Sequence, residues 1–351
     1  MRPTFVALVA FGGGALLLRP GAAPTWPTPA GQPATPAATP APRPPGRLVD
    51  LGGYRLHLYC TGLRAGHGSP TVVLSPGAGD FSVDWALVQP GVAAATRVCA
   101  YDRSGEAWSD LGPAPRTLDQ EVYDLHRLLA AAGERGPYVL GGQSMGGLVA
   151  RLFAAAYPRE TAGLVLVDAF SEDAQLSQSG RLVRVRLAAQ PRAVPPPRDS
   201  VGAADQVGTD EERKIRTFMT QIGPPKIEPP YDQLPPAAQH ARLWALAQPA
   251  HYASGDDYLP ETAARVYAQT RATPHPLRDM PLVVLERSRD EYPPDVAAVL
   301  SREHREQQRR LAALSTSGAL VRVPNAGHHI QLDRPRAVIR AIVRVVRRAR
   351  R

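Results

Sequence analysis

The chain has 351 residues, 44% of them hydrophobic, enough to bury one full core, with one domain plus an insertion as the default organisation. Its net charge of +9 comes almost wholly from arginine, since Lys214 and Lys226 are the only lysines, and the densest cluster is at residues 344–351. No nucleic-acid motif or aromatic-interleaved basic patch accompanies that tail, so the charge argues for no nucleic-acid partner; cations in the last turns of an amphipathic helix have dipole and solubility roles of their own.

In chain order, the N-terminus reads as a targeting segment: Arg2, an apolar run over residues 4–18, Arg19, then Gly21-Ala22-Ala23. The run is short for a membrane span, and no cysteine follows it to carry a lipid. Residues 1–23 are therefore expected to be a signal peptide or an uncleaved N-terminal anchor, giving an exported protein that is secreted, periplasmic or membrane-associated through this segment. Residues 24–46 are Pro, Ala and Thr with little charge, a semi-extended linker. The first structural signal is a hairpin, with alternating residues at 47–51 and 54–60 flanking Gly52-Gly53. A strand at 71–74, an amphipathic stretch at 83–95 and a strand at 97–101 follow. A helix starts at Thr117, where Thr117 and Gln120 make a capping box, and ends near Gly133. Next come a strand at 138–140, a helix at 144–157 and a strand at 163–167. Strands alternating with helices predict a parallel sheet. Over residues 171–278 the pattern breaks into prolines, scattered charges and helical stretches at 211–222 and 237–247, which reads as an insertion. Strands return at 281–285 and 319–323, with a charged helix at 296–314 between them and a last helix at 334–351.

Gly142-Gln143-Ser144-Met145-Gly146 lies between the strand at 138–140 and the following helix. A strand-turn-helix elbow of this kind exposes a serine hydroxyl above the carboxyl ends of a sheet, and glycines two residues either side relieve a strained, crowded turn. A serine needs a base to take its proton. His328, on the loop after the last predicted strand, is the candidate, with His329 as competitor; Ile330 and Leu332 place His329 in a packed stretch. The oxyanion of an acyl-transfer intermediate needs two backbone donors, predicted as the amides of Met145 and of Ala78 in Ser75-Pro76-Gly77-Ala78-Gly79.

On Ser75 to Gly79, Tyr101-Asp102-Arg103-Ser104-Gly105, Gly142 to Gly147 and Gly327-His328, the chain resembles the α/β-hydrolase family over nearly everything from residue 47 onward outside the insertion. The resemblance implies an α/β fold with an eight-stranded, mostly parallel sheet flanked by helices, its core formed by residues 47–170 and 279–351, and a largely helical cap, residues 171–278, inserted after the sixth strand. Three positions depart from the family pattern: Gln143 where His is common, Pro76 where His-Gly is common, and Ala107 in place of a glycine. The carboxylate behind the histidine comes in this family from the loop after the seventh or the sixth strand. Asp290 matches the first place and is the favoured acid, although Arg287 replaces the usual glycine there; Asp168 matches the second and is the alternative. The family's sheet order sets Cys60 and Cys99 on neighbouring strands, which makes a disulfide the expected state, with two buried thiols the alternative.

The reading that results is a serine-dependent hydrolase of ester bonds, carboxylesterase-like, acting on a small-molecule acyl substrate, with no metal or organic cofactor implied. A lipase, an aminopeptidase or an acyltransferase of the same fold are alternatives, as is a catalytically silent binding protein. Neither the substrate nor the oligomeric state is written in any motif of the insertion.

Overall fold

The computed structural model describes residues 41–350 apart from 65, 67, 179, 180 and 256. The expected signal peptide or anchor and most of the linker lie outside the described residues. The described residues form ten strands: β1 (Arg47–Asp50), β2 (Arg55–Thr61), β3 (Thr71–Ser75), β4 (Val98–Tyr101), β5 (Tyr138–Gln143), β6 (Thr161–Val167), β7 (Gln175–Gln178), β8 (Arg181–Arg184), β9 (Leu282–Arg287) and β10 (Gly318–Val323). Eight of them make one sheet in the order β1-β2-β4-β3-β5-β6-β9-β10. β2 runs antiparallel to both β1 and β4, and from β4 to β10 every pairing is parallel.

The central strands are continuous apolar runs because both faces of the sheet are covered. Alternate residues point to opposite layers: Val73, Cys99, Leu140, Leu164 and Val284 join one core, while Val72, Val98, Val139, Val165 and Val283 join the other. The helices Leu118–Ala131 and Met145–Ala156 cover the first face; Gln89–Ala93 and Pro335–Ala349 cover the second. The C-terminal helix buries Val338, Ala341, Ile342, Val345 and Val346, which leaves its arginines on the outer side. Thr117 caps its helix as expected, its hydroxyl oxygen accepting from the Gln120 amide at 3.0 Å. The Gln120 side chain, however, bonds Asp124 and the Arg198 backbone, so the reciprocal half of the box is not made. The expected helix at 83–95 breaks into a 3-10 turn, Ser82–Trp85, and the short Gln89–Ala93, whose start is set by Pro90.

β2 and β4 place Cys60 opposite Cys99 in antiparallel register, and the two form a disulfide. Between β6 and β9, which are parallel, the chain leaves the sheet at its carboxyl edge and re-enters it at the amino edge. The helices expected there span Thr209–Ile222 and Pro236–Leu246; Leu259–Ala272 and the β7–β8 hairpin are additions the sequence pattern does not reveal. No helix among the described residues is long and apolar enough to cross a membrane.

Candidate active site

Ser144 sits at the junction of β5 and the Met145–Ala156 helix with φ +49° and ψ −120°, a conformation that an L-residue holds only when its surroundings enforce it. The enforcement is visible. Ser144 N donates to Val167 O on β6, and Ser144 O accepts from the amides of Gly147 and Phe170. A β-carbon at 142 would lie 2.1 Å from Gly146 O, and one at 146 would lie 2.3 Å from Ser75 O, so both positions require glycine. The second contact also shows that the elbow presses against the Ser75–Gly79 loop.

That loop is held from behind. Arg103 donates to Gly77 O at 2.6 Å and to Pro76 O at 3.3 Å, and Asp80 N also donates to Gly77 O. In a trans peptide the carbonyl and the following amide point in opposite directions, so the Ala78 N–H faces away from Arg103. Ala78 itself is exposed at the crest, whereas Met145 is buried.

His328 and His329 follow β10, and the two rings have separate surroundings. The His328 loop is fixed by carboxylates that accept its backbone amides: Asp333 from Gly327 and Glu291 from His328. Gln143, the residue before the elbow serine, donates to His328 O at 3.3 Å. The His328 ring places Nδ1 2.7 Å from Asp168 Oδ2. His329 lies instead in a buried cluster, where Tyr231 OH is 2.7 Å from its Nε2 and 2.7 Å from Asp80 Oδ1. Arg242, also from the chain between β6 and β9, contacts Asp84 at 2.5 Å and Asp80 at 3.2 Å and stacks on the Tyr231 ring. Burial lowers the basicity of His329, but the hydrogen bond and charge of Asp80 overcome this and raise it. Asp84, the more poorly compensated of the two acids, is pushed by burial up to about 7 against the pull of Arg242.

Asp290, the favoured acid of the sequence reading, is not beside His328. It accepts a hydrogen bond from the Ser301 hydroxyl on the helix Pro294–Ala312, three residues past the end of β9. The reason is Arg287. Where a glycine would let the chain turn back, this side chain is buried at the end of β9 and claims Asp168, directly adjacent at the end of β6. Asp168 Oδ2 accepts from Arg287 Nη1 at 2.7 Å as well as from His328; Oδ1 accepts from the Arg287 amide at 3.0 Å and from His304 Nε2 at 2.9 Å. Burial opposes ionisation of Asp168, yet the charges of His304 and Arg287 and the bonds from both histidines hold it well below the usual carboxylate range. Burial lowers the pKa of His328, with Asp168 pulling the other way, so the ring is held below its ordinary value. Ser144, Asp168, His304 and His328 line one cavity of about 40 Å³, room for a water or two.

His304 has no place in the sequence reading, and Arg287 enters it only as the residue that replaces a glycine. A buried arginine at a strand end demands a carboxylate beside it, and His304, itself part-buried, shares one helix face with the buried Leu300, Gln307, Gln308 and Leu311.

The model of the alpha/beta hydrolase family matches residues 72–341. The chain belongs to that family. Among solved structures, similar folds include a thermophilic esterase from Thermogutta terrifontis, with a TM-score of 0.57, 22% identity, and coverage of 85% of this chain and 95% of that one. An enol-lactonase from Burkholderia xenovorans matches with a TM-score of 0.57, 21% identity, and coverage of 86% and 100%. Identities this low carry the fold alone. Among curated relatives, a Hormonema carpetanum protein named a probable transporter, efuK, is 33% identical over 129 residues, 36% of this chain and 18% of that one. A candidate carbamate hydrolase, RutD, of Cronobacter turicensis is 35% identical over 102 residues, 29% of this chain and 38% of that one. The chain thus spans less than half the length of the curated relatives it matches.

Proposed function

We propose that this alpha/beta hydrolase cleaves ester bonds of a small-molecule acyl substrate through Ser144, His328 and Asp168. The observation that carries this reading is the 2.7 Å contact between His328 Nδ1 and Asp168 Oδ2 in the cavity that Ser144 lines. An ionised Asp168 accepts the Nδ1 proton, which leaves the lone pair on Nε2 as the base for Ser144. The Ser144 oxygen adds to the acyl carbon as its proton passes to His328. The amides of Met145 and Ala78 receive the oxyanion. His328 then returns the proton to the departing alcohol, and water, activated by the same ring, releases the acid from the acyl-enzyme. Depressed basicity keeps His328 neutral, and therefore a base, into mildly acidic solution.

The Cys60–Cys99 bridge fits an oxidising compartment, and with the targeting character of residues 1–23 it supports export, as a secreted or periplasmic protein or one held at a membrane by that segment. The name of the RutD relative adds carbamates to the esters worth assaying. A fluorophosphonate probe tests the reading. The wild-type chain is expected to be labelled at Ser144 and to hydrolyse a short ester, and Ser144→Ala to do neither. A folded wild-type chain that resists the probe, or a Ser144→Ala variant with full activity, overturns it.

A further inference from the structure

The proposed mechanism uses only one of the two imidazoles that Asp168 holds. His304 Nε2 sits 2.9 Å from Oδ1, and because the carboxylate is an acceptor, this nitrogen carries the proton. A neutral His304 therefore has its lone pair on Nδ1. That nitrogen has no hydrogen-bond partner among the described residues, and His304 lines the cavity beside Ser144.

The sheet order locates this cavity. β3 and the Ser75–Gly79 loop lie on one flank of β5, while β6 and β9 lie on the other. The cavity is walled by the chain after β6 and by the helix after β9, so it opens on the flank of Ser144 away from the Ser75–Gly79 loop. Its wall is mixed, with Ser171, Gln175 and Gln307 beside Phe170, Ala174 and Leu300. An alkyl group gains only from the apolar part of such a wall. Beside His304, however, it would strip water from Nδ1 and leave that nitrogen unpaired.

We propose that His304 is a specificity-determining residue: anchored by Asp168, its ring favours substrates that place a short hydroxyl-bearing group, in preference to an alkyl group of the same size, in the cavity beside Ser144. The hydroxyl bonds Nδ1, as donor to a neutral ring or as acceptor from a charged one, while Nε2 keeps its bond to Asp168. The inference rests on Ser144 acting as the nucleophile.

Two pairs of isosteric esters test it on the full chain. Ethyl lactate against ethyl isobutyrate exchanges hydroxyl for methyl on the acyl side; 2-hydroxyethyl acetate against propyl acetate does so on the alcohol side. The wild type is expected to prefer the hydroxyl member of one pair by at least about tenfold in kcat/KM. His304→Leu should bring that ratio to about one, and His304→Gln, which offers Asp168 an N–H and the substrate a carbonyl, should retain part of it. Because the readout is a ratio, a general loss of activity cancels. Preference for the alkyl member in both pairs, or a ratio unchanged in His304→Leu, overturns the proposal and leaves the role of Ser144 standing. The wild-type ratio decides the matter by itself if the leucine variant does not fold. A folded wild type that cleaves none of the four esters and takes no fluorophosphonate removes the reading of Ser144, and this inference with it.

Discussion

Replacing Asp168 with asparagine removes one charge from a carboxylate that accepts four hydrogen bonds, from His328, from His304 and twice from Arg287. The amide oxygen can serve one pair of these donors, but the new NH2 group must face the other pair. Turned toward His328, it forces the ring to accept at Nδ1 and so to carry its proton on Nε2, where no base then remains for Ser144. In a Ser-His-Asp triad this wrong tautomer costs about 10⁴-fold in kcat. Turned toward His304 and the Arg287 amide, it sets donor against donor. In either orientation the buried Arg287 loses its counter-charge, a loss of about 3 to 5 kcal/mol in stability when one partner of a buried pair is removed. Among the described residues Asp290 is hydrogen-bonded only by Ser301, so Asp290→Asn is expected to keep activity within about threefold, as an uncoupled surface change does. Hydrolysis of a short ester by both variants is the assay, with circular dichroism to confirm that each is folded. A folded Asp168→Asn of near wild-type activity beside an Asp290→Asn that is inactive would refute the assignment and restore the acid favoured on sequence grounds.

Arg103→Met should release the carbonyls of Pro76 and Gly77 and with them the orientation of the Ala78 amide. A misdirected oxyanion donor lowers kcat by about tenfold or more with KM little changed, and an effect confined to KM would speak against this role. Asp124 gives a test by pH. Burial, against hydrogen bonds from Tyr54 and Gln120, raises its pKa from 3.8 to about 6. The folded state thus binds this proton more tightly than the unfolded chain does, so its stabilising contribution is complete below about pH 4 and is lost as pH rises through 6, about 3 kcal/mol in all. Asp124→Asn keeps the acceptor oxygen for both neighbours and has no charge to bury. Urea unfolding at pH 4 and pH 8 should show the variant gaining on the wild type by about that amount, and a difference that stays constant with pH removes the argument.

The order of strands and helices, the elbow at Ser144 and the histidine after the last strand were legible in the sequence because each rests on local rules. Apolar runs of strand length, the Thr117 cap and two glycines around a serine act over a few residues. The resemblance to the hydrolase family extended this to the sheet order and to the pairing of Cys60 with Cys99. The packed surroundings of His329 were also open to the sequence, since Ile330 and Leu332 mark them, and it sits among Tyr231 and Asp80.

The carboxylate was beyond such rules. Asp168 and Asp290 both follow strands, and their fates differ through one side chain, Arg287, whose burial beside β6 is a property of how β6 and β9 pair. The same holds for His304, which reaches Asp168 across 136 residues of chain, and for Tyr231 and Arg242, which reach Asp80 across 151 and 162. Local sequence determines a backbone conformation where the energies that decide it arise within a turn or two. Which buried charge meets which is decided by long-range packing, because the energetic cost of leaving either charge unpaired is felt only after the sheet has closed around it.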